Sequence, residues 1–249
     1  MAALARSPIS ILIINPNSSS SMTAGLESIL ADLLHPSLVL DYHTGPAASP
    51  PSVNDLTTAV ESATHTFSSL QAHLRGEEGR EYDGYLVACY SDHPLVGMLR
   101  EHTTKTVLGI FEASIMHALA LGRPFGIVTT GKYWEGALTE GVRRMFGSQD
   151  LGGAFVGVES TGLSALELHV VDRAVVTASL SAAASRVVRR GARAIITGCA
   201  GMSGMEAAVR AGAASTSKGK EVVVVDGVRA GIVLLEDMVR AQSADASKE

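Results

Sequence analysis

The segment SILIINPNSSSSMTAGLESIL, residues 10–30, decides the fold that this sequence predicts. It opens with an uninterrupted β-branched and aliphatic run, which is typical of a strand buried on both faces of a parallel sheet. The run stops at a Pro–Asn turn, where serine and threonine side chains can cap the helix that follows. Strand, polar turn and helix in this order predict one βα unit of an α/β protein.

The same plan recurs in the second half of the chain, where residues 125–146 read FGIVTTGKYWEGALTEGVRRMF. Further apolar runs, in matching order in the two halves, are predicted to be strands: 37–44, 85–90 and 106–113, then 153–161, 192–199 and 221 onward. Alternating strands and helices form parallel sheets through right-handed crossovers. We therefore predict two pseudo-symmetric, doubly wound lobes with the active site in the cleft between them. Lobe one is assigned to 1–112, completed by a C-terminal helix at 227–249, and lobe two to 113–226.

The chain contains only two cysteines, and each comes at the end of the corresponding strand of its half. Cys89 follows Asn15 by 74 residues, and Cys199 follows Thr129 by 70 residues, where Asn15 and Thr129 end the first strand of each half. Ligands of open α/β sheets bind beyond the carboxyl ends of the strands. Both thiols are therefore predicted to face one cleft from opposite sides. The alternative is that both are small buried hydrophobic residues, which is common for cysteine.

Two opposed thiols suit the inversion of a stereocentre that bears an acidic C–H. One thiolate removes the proton from one face, and the other thiol supplies a proton to the opposite face. We expect the glycines around Cys199 and the N-terminus of the helix that follows to lower the pKa of the thiol. Backbone N–H and hydroxyl donors must hold the enolate-like oxygen of the intermediate. No metal and no organic cofactor is required, and the eight scattered histidines show no metal-binding spacing.

Composition narrows the partners to a small molecule. The formal net charge is −5 and no basic stripe is present, so we expect no nucleic-acid binding. The apolar runs, such as VVVV at 222–225, are too short to span a bilayer, and we expect no membrane partner. The first residues, MAALARSPIS, lack the apolar stretch of a signal peptide and are predicted to be a short disordered tail. A cytoplasmic protein with two free thiols is the expectation.

Four motifs resemble the hydantoin/allantoin racemase branch of the aspartate/glutamate racemase superfamily: INPNSSSSMT (14–23), ACYSDHP (88–94), GIFEA (109–113) and TGCAGM (197–202). They occur in the order of that family, and the resemblance extends over nearly the whole chain. It implies a cofactor-independent racemase of allantoin or 5-substituted hydantoins. It further implies that Cys89 and Cys199 are the acid/base pair and that the protein is a homo-oligomer.

Substrate contacts are expected in the turns that follow the strands. The resemblance favours Asn17 as a substrate contact, whereas capping of the turn is the structural alternative. Donors to the substrate are also expected from residues at the end of the first strand of the second half and directly after the two cysteines. These residues are Tyr90, Ser91, Thr129, Thr130, Ala200 and Gly201. The family reads C-F-x-D-P-G after the first cysteine, whereas Cys89 is followed here by YSDHPLV. The inserted His93 is expected to alter the pocket on that side.

Two other classes of function stay open at the level of the sequence. The first is another reaction of the superfamily, namely amino-acid racemisation, maleate-type isomerisation or decarboxylation. A decarboxylase needs only one proton donor, so the second cysteine argues against that reaction. The second class is a non-catalytic small-molecule binding protein, which has no need of two reactive thiols.

Overall fold

A computed structural model describes residues 8–77, 81–148 and 153–246, with side chains described as far as residue 242. Most of the predicted N-terminal tail and the last three residues of the predicted C-terminal helix lie outside these ranges. None of the helices in the described part of the chain is long and apolar enough to cross a membrane.

The first half of the chain forms a four-stranded parallel sheet with the order β2-β1-β3-β4. Its strands are β1 (Ile9–Asn15), β2 (Leu38–Thr44), β3 (Gly84–Val87) and β4 (Thr106–Gly109). The helices that follow them are α1 (Ser20–Leu30), α2 (Leu56–Leu74), α3 (Pro94–His102) and α4 (Ile110–Ala120).

The second half repeats this arrangement in a second parallel sheet with the order β6-β5-β7-β8. Its strands are β5 (Phe125–Thr129), β6 (Phe155–Ser160), β7 (Ala194–Gly198) and β8 (Val223–Asp226). Its helices are α5 (Tyr133–Phe146), the short α6 (Glu167–Val170), α7 (Arg173–Arg189), α8 (Glu206–Thr216) and α9 (Gly227–Ala246). The predicted fold class, two similar lobes with parallel sheets, is confirmed.

The apolar runs that predicted the fold form the core of each sheet. Every residue of β5 and β7 is buried, as is every residue of β1 except Ser10. Strands covered by helices on both faces must be apolar at consecutive positions, which is why these runs show no alternation of polar and apolar residues.

Two helices exchange places between the lobes. Helix α4 follows the first sheet in the chain but packs against β7 and β8 of the second sheet, whereas α9 follows the second sheet and packs against β1, β3 and β4 of the first. The two helices also pack against each other. These contacts support our proposal that the C-terminal helix completes lobe one, and the division between residues 112 and 113 stays a prediction.

Two predicted strands end three or four residues earlier than the sequence suggested. The run at 85–90 leaves the sheet after Val87, and the run at 106–113 leaves it after Gly109. Residues 110–113 instead form the first turn of α4, because the Glu112 carboxylate accepts a hydrogen bond from Gly109 N at 3.0 Å and so caps the helix. Glu112 also pairs with Arg100 at 2.5 Å. The strand predicted over 106–113 would have included Glu112, which instead caps the N-terminus of α4.

Candidate active site

A cleft of about 250 Å³ is lined by residues that follow the carboxyl ends of β1, β3, β5 and β7, and so by both lobes. Of the nine predicted site residues, eight line this cleft: Asn17, Cys89, Tyr90, Thr129, Thr130, Cys199, Ala200 and Gly201. The ninth, Ser91, is buried behind the cleft wall, with its Oγ 3.9 Å from Cys89 Sγ.

The two cysteines occupy equivalent places in the two sheets. Thr129 at the end of β5 pairs with Gly198, the residue before Cys199. In the first sheet Ala88 N donates to Ile14 O at 2.8 Å, which continues the ladder to the residue before Cys89. Each cysteine therefore comes directly after the last residue of its segment that is paired with the neighbouring strand. Both are free and partly exposed, and both line the same cleft.

Burial dominates the acidity of both thiols. It raises the pKa of Cys89 to about 12; a hydrogen bond with Ser91 opposes this shift, and the charge on Cys199 adds to it. Burial likewise raises the pKa of Cys199 to about 11, although the N–H groups of Gly201 and Met202 donate to its sulfur and favour the thiolate. A charge on one thiol disfavours a charge on the other, so the cleft tolerates one thiolate far better than two.

The expected lowering of the thiol pKa is wrong, for two physical reasons. First, no α-helix begins directly at either cysteine. Cys199 precedes a single 3₁₀ turn at Ala200–Met202, and α3 begins only at Pro94. Second, the cleft wall is largely apolar, and removing water from a thiol disfavours its charged form. The apolar side chains of that wall include Met22, Leu26, Ile29, Val53, Trp134 and Leu166.

The turn after β1 carries a network of asparagines. Asn17 Oδ1 accepts hydrogen bonds from Asn15 Nδ2 at 3.0 Å and from Ser19 N at 2.9 Å, which fixes the orientation of its amide. The Nδ2 group of Asn17 has Met22 sulfur, at 3.3 Å, as its contact. A sulfur is a weak acceptor, so this N–H group is a candidate donor to a ligand in the cleft. Asn15 also lines the cleft and was not predicted as a site residue.

The hydroxyl groups of Thr129 and Tyr90 make hydrogen bonds that position the loops around the two cysteines. Thr129 Oγ1 donates to Gly198 O at 2.9 Å, directly before Cys199. The buried Tyr90 hydroxyl lies 3.1 Å from Ser114 Oγ, and its ring packs edge-on against Phe111. These two side chains fix the loops that carry the thiols.

Residues on the second-lobe side of the cleft were missed by the sequence analysis, above all Trp134, His169 and Ser203. Nothing in the sequence set His169 apart from the other histidines. Among the described residues that line the cleft there is no lysine and no arginine. The described residues also contain no group of three or more His, Cys, Asp or Glu side chains arranged to hold a metal ion.

His93, the departure from the family pattern, turns away from the cleft. It is buried, its Nδ1 accepts from Leu95 N at 3.3 Å, and its Nε2 lies 3.1 Å from Ser62 Oγ of α2. Burial lowers the pKa of His93 to about 4. His93 is therefore the N-cap of α3 and a link to α2, and it does not line the cleft with the two thiols.

Comparison with known proteins gives consistent results over most of the chain. A model of the family described as Asp/Glu/Hydantoin racemase matches residues 11–235. An uncharacterized protein of Schizosaccharomyces pombe, C1F7.10, is 41% identical over 233 residues, which cover 93% of this chain and 92% of that protein. A hydantoin racemase of Rhizobium meliloti is 30% identical over 235 residues, covering 93% of this chain and 89% of that enzyme.

The fold is shared with a solved structure. The allantoin racemase AllR of Pseudomonas fluorescens superposes with a TM-score of 0.79, covering 94% of this chain and 92% of that chain at 24% identity. At this identity the likeness shows a common fold.

Proposed function

The chain belongs to the Asp/Glu/Hydantoin racemase family of isomerases, and we propose that it racemises a cyclic ureide, allantoin or a 5-substituted hydantoin, without a cofactor. The observation that carries this proposal is that Cys89 and Cys199 line one cleft from equivalent positions of two repeated lobes. The hydantoin racemase and allantoin racemase among its relatives support the same class of substrate.

In the proposed mechanism the substrate ring lies between the two sulfurs. The thiolate of one cysteine takes the proton from the ring carbon that bears the substituent, and the C–H electron pair delocalises into the neighbouring carbonyl. The thiol of the other cysteine then donates its proton to the opposite face, which forms the inverted C–H bond. The first cysteine ends as a thiol and the second as a thiolate, so the enzyme is ready for the other enantiomer.

The enolate-like oxygen needs hydrogen-bond donors during this transfer. We propose the Asn17 amide, the Thr130 hydroxyl and the backbone N–H groups of Tyr90 and Ala200 for this role, whereas the N–H group of Gly201 donates to the Cys199 sulfur. Ser91 acts through Cys89, since its hydroxyl contacts the sulfur from behind the cleft wall.

A neutral ring fits the cleft better than an acidic substrate does. A dicarboxylic acid such as glutamate or maleate would bring two negative charges, and no lysine or arginine among the described lining residues is there to balance them. The apolar wall and the neutral donors instead match a flat ring with amide N–H and C=O groups. This observation favours a ureide racemase over the other reactions of the superfamily.

The test is the loss of optical rotation from single enantiomers in deuterated water. The panel contains allantoin, 5-substituted hydantoins with alkyl and with aromatic substituents, glutamate and aspartate, while maleate and an arylmalonate are followed by product formation. We expect racemisation of at least one cyclic ureide and no turnover of the acids. Turnover of an acid alone would contradict the proposal.

Alkylation separates an enzyme from a binding protein. Iodoacetamide should abolish racemisation, and a bound ureide should protect both thiols from the reagent. Protection without any turnover would favour the binding protein. Since two working thiols require a reducing compartment, we further propose a cytoplasmic location, and we propose a homo-oligomer from the family resemblance.

A further inference from the structure

When both thiols of the cleft are protonated, they carry one proton more than the proposed reaction uses. A two-thiol racemase works with one thiol and one thiolate, whereas burial keeps both Cys89 and Cys199 protonated at neutral pH. Before the first turnover one proton must therefore pass to another acceptor, which is either the solvent or a third group of the cleft. This question rests on the proposed function, because only the two-thiol reaction needs that proton to leave.

His169 is the described residue whose position fits this role. A Cβ added to Gly201 would lie 3.1 Å from His169 Nε2 and 3.6 Å from Cys199 Sγ, so the imidazole and the sulfur flank the same point of the cleft wall. Glycine at position 201 leaves this space open. His169 is exposed at the cleft mouth, and its ring makes no hydrogen bond or ion pair with another described residue.

The other candidates in the cleft are unsuited to accept the proton. Apart from the two cysteines and His169, Tyr90 is the one titratable side chain among the described lining residues. Its hydroxyl is buried against Ser114, and burial raises its pKa, so it holds its own proton. The remaining polar lining residues are asparagines, serines and threonines, which do not titrate near neutral pH.

The helical turn that carries His169 is held at both ends. Ser164 and Glu167 cap each other: Ser164 N donates to the Glu167 carboxylate at 2.7 Å, and Glu167 N donates to Ser164 Oγ at 3.2 Å. At the other end Val171 N donates to Glu167 O at 3.0 Å. The fold therefore fixes the backbone of His169 while leaving its ring beside the loop of Cys199.

We propose that His169 is the group that accepts the proton of Cys199 and then remains as the counter-ion of the thiolate. The S–H bond of Cys199 breaks, the proton binds Nε2, and the resulting imidazolium balances the charge on sulfur. The Cys199 thiolate then takes the proton of the substrate while the Cys89 thiol protonates the opposite face. His169 keeps its proton through successive turnovers, because the pair of thiols always holds one proton.

The experiment compares His169→Ala and His169→Gln with wild type, and uses His65→Ala, an exposed histidine of α2 that does not line the cleft, as the matched control. The alkylation rates of Cys199 and Cys89 by iodoacetamide are measured in the same sample by mass spectrometry of their peptides at neutral pH. We expect Cys199 to react about tenfold more slowly in both His169 variants, with Cys89 within about twofold of wild type.

Racemisation of whichever ureide the wild type turns over gives the second readout. We expect kcat to fall about a hundredfold in both directions with little change in KM, and added imidazole to restore part of the activity of His169→Ala. A wild-type alkylation rate of Cys199 in both variants would overturn the inference, even if kcat were reduced. If the wild type racemises nothing, the proposed function fails, and the alkylation comparison still decides the role of His169.

Discussion

Cys89 and Cys199 carry the chemistry that we propose, and their equivalence could be predicted because each follows the matching apolar run of a repeated order. Their pKa values could not be predicted, since these depend on burial by side chains from distant parts of the chain, such as Leu26 and Trp134. His169 could not be predicted as a site residue for the same reason. No spacing separates it from the seven other histidines, and only the fold brings it beside Gly201.

Replacing either thiol should stop racemisation while preserving binding. Cys89→Ser and Cys199→Ser each keep the shape of the side chain but lose a thiolate, so we expect kcat to fall by at least about a hundredfold. Each variant should still exchange the ring hydrogen of one enantiomer with deuterium. This exchange should be slow, because burial keeps the remaining cysteine mostly protonated and only its thiolate form removes and returns a proton on its own face. The two variants should prefer opposite enantiomers, as measured by NMR of each enantiomer separately. Wild-type racemisation in either variant would contradict the assignment.

At the scale of the elements, strands were predicted more accurately than the helices that start beside them. The apolar runs of β1, β5 and β7 are visible in the sequence because both faces are buried. The start of α4 at Ile110 was not visible in the sequence, because an apolar run of β-branched and aromatic residues continues across the boundary. The cap of this helix depends on the Glu112 carboxylate, which accepts a hydrogen bond from Gly109 N. Periodicity alone does not reveal such a boundary.

Because the N-cap of α3 is the buried His93, the free energy of unfolding should depend on pH. Burial lowers the pKa of His93 in the folded state to about 4 from an ordinary value of 6.5. Between these values the unfolded chain binds the proton and the folded chain does not, so stability falls as the pH drops through this window, by about 3 kcal/mol at most. His93→Asn keeps a capping acceptor for Leu95 N but removes the titration.

Urea denaturation of wild type and His93→Asn at neutral pH and near pH 4.5 measures this effect. We expect a clearly smaller loss of unfolding free energy in the variant between the two conditions, with His65→Asn behaving like wild type. Equal losses in wild type and His93→Asn would show that His93 does not cause the pH dependence.

Helices α7 and α8 pack closely because position 212 of α8 is a glycine and has no side chain. A Cβ on Gly212 would lie 2.1 Å from Ser181 O, and a backbone atom moves only if the helix moves. Gly212→Ala should therefore lower the free energy of unfolding by about 3 kcal/mol. Gly136→Ala is the matched control in α5, where nothing lies within 4 Å, and it should raise that free energy by about 0.5–1 kcal/mol. Two variants of equal stability would contradict this account of the helix pair.

At the scale of the whole molecule, duplication places one thiol in each lobe, and the exchange of α4 and α9 ties the lobes together. The duplication could be predicted, because strand, turn and helix recur in order along the sequence. The positions of α4 and α9 depend on which apolar faces meet in three dimensions, so the sequence only suggested that the last helix returns to lobe one. The cleft exists because both sheets present their carboxyl ends to it.

The central claim is that two thiols on opposite faces exchange the proton of one stereocentre, and the deuterium content of each enantiomer at early times tests it most directly. Wild-type enzyme, after exhaustive chelation, is given one enantiomer of the ureide that it racemises in deuterated water, with an enzyme-free sample as the control. We expect the inverted product to carry deuterium at the stereocentre while the remaining substrate still carries hydrogen, because each thiol serves one face. Deuterium in the remaining substrate at the same rate as in the product would mean that one base serves both faces, and it would contradict the two-thiol mechanism.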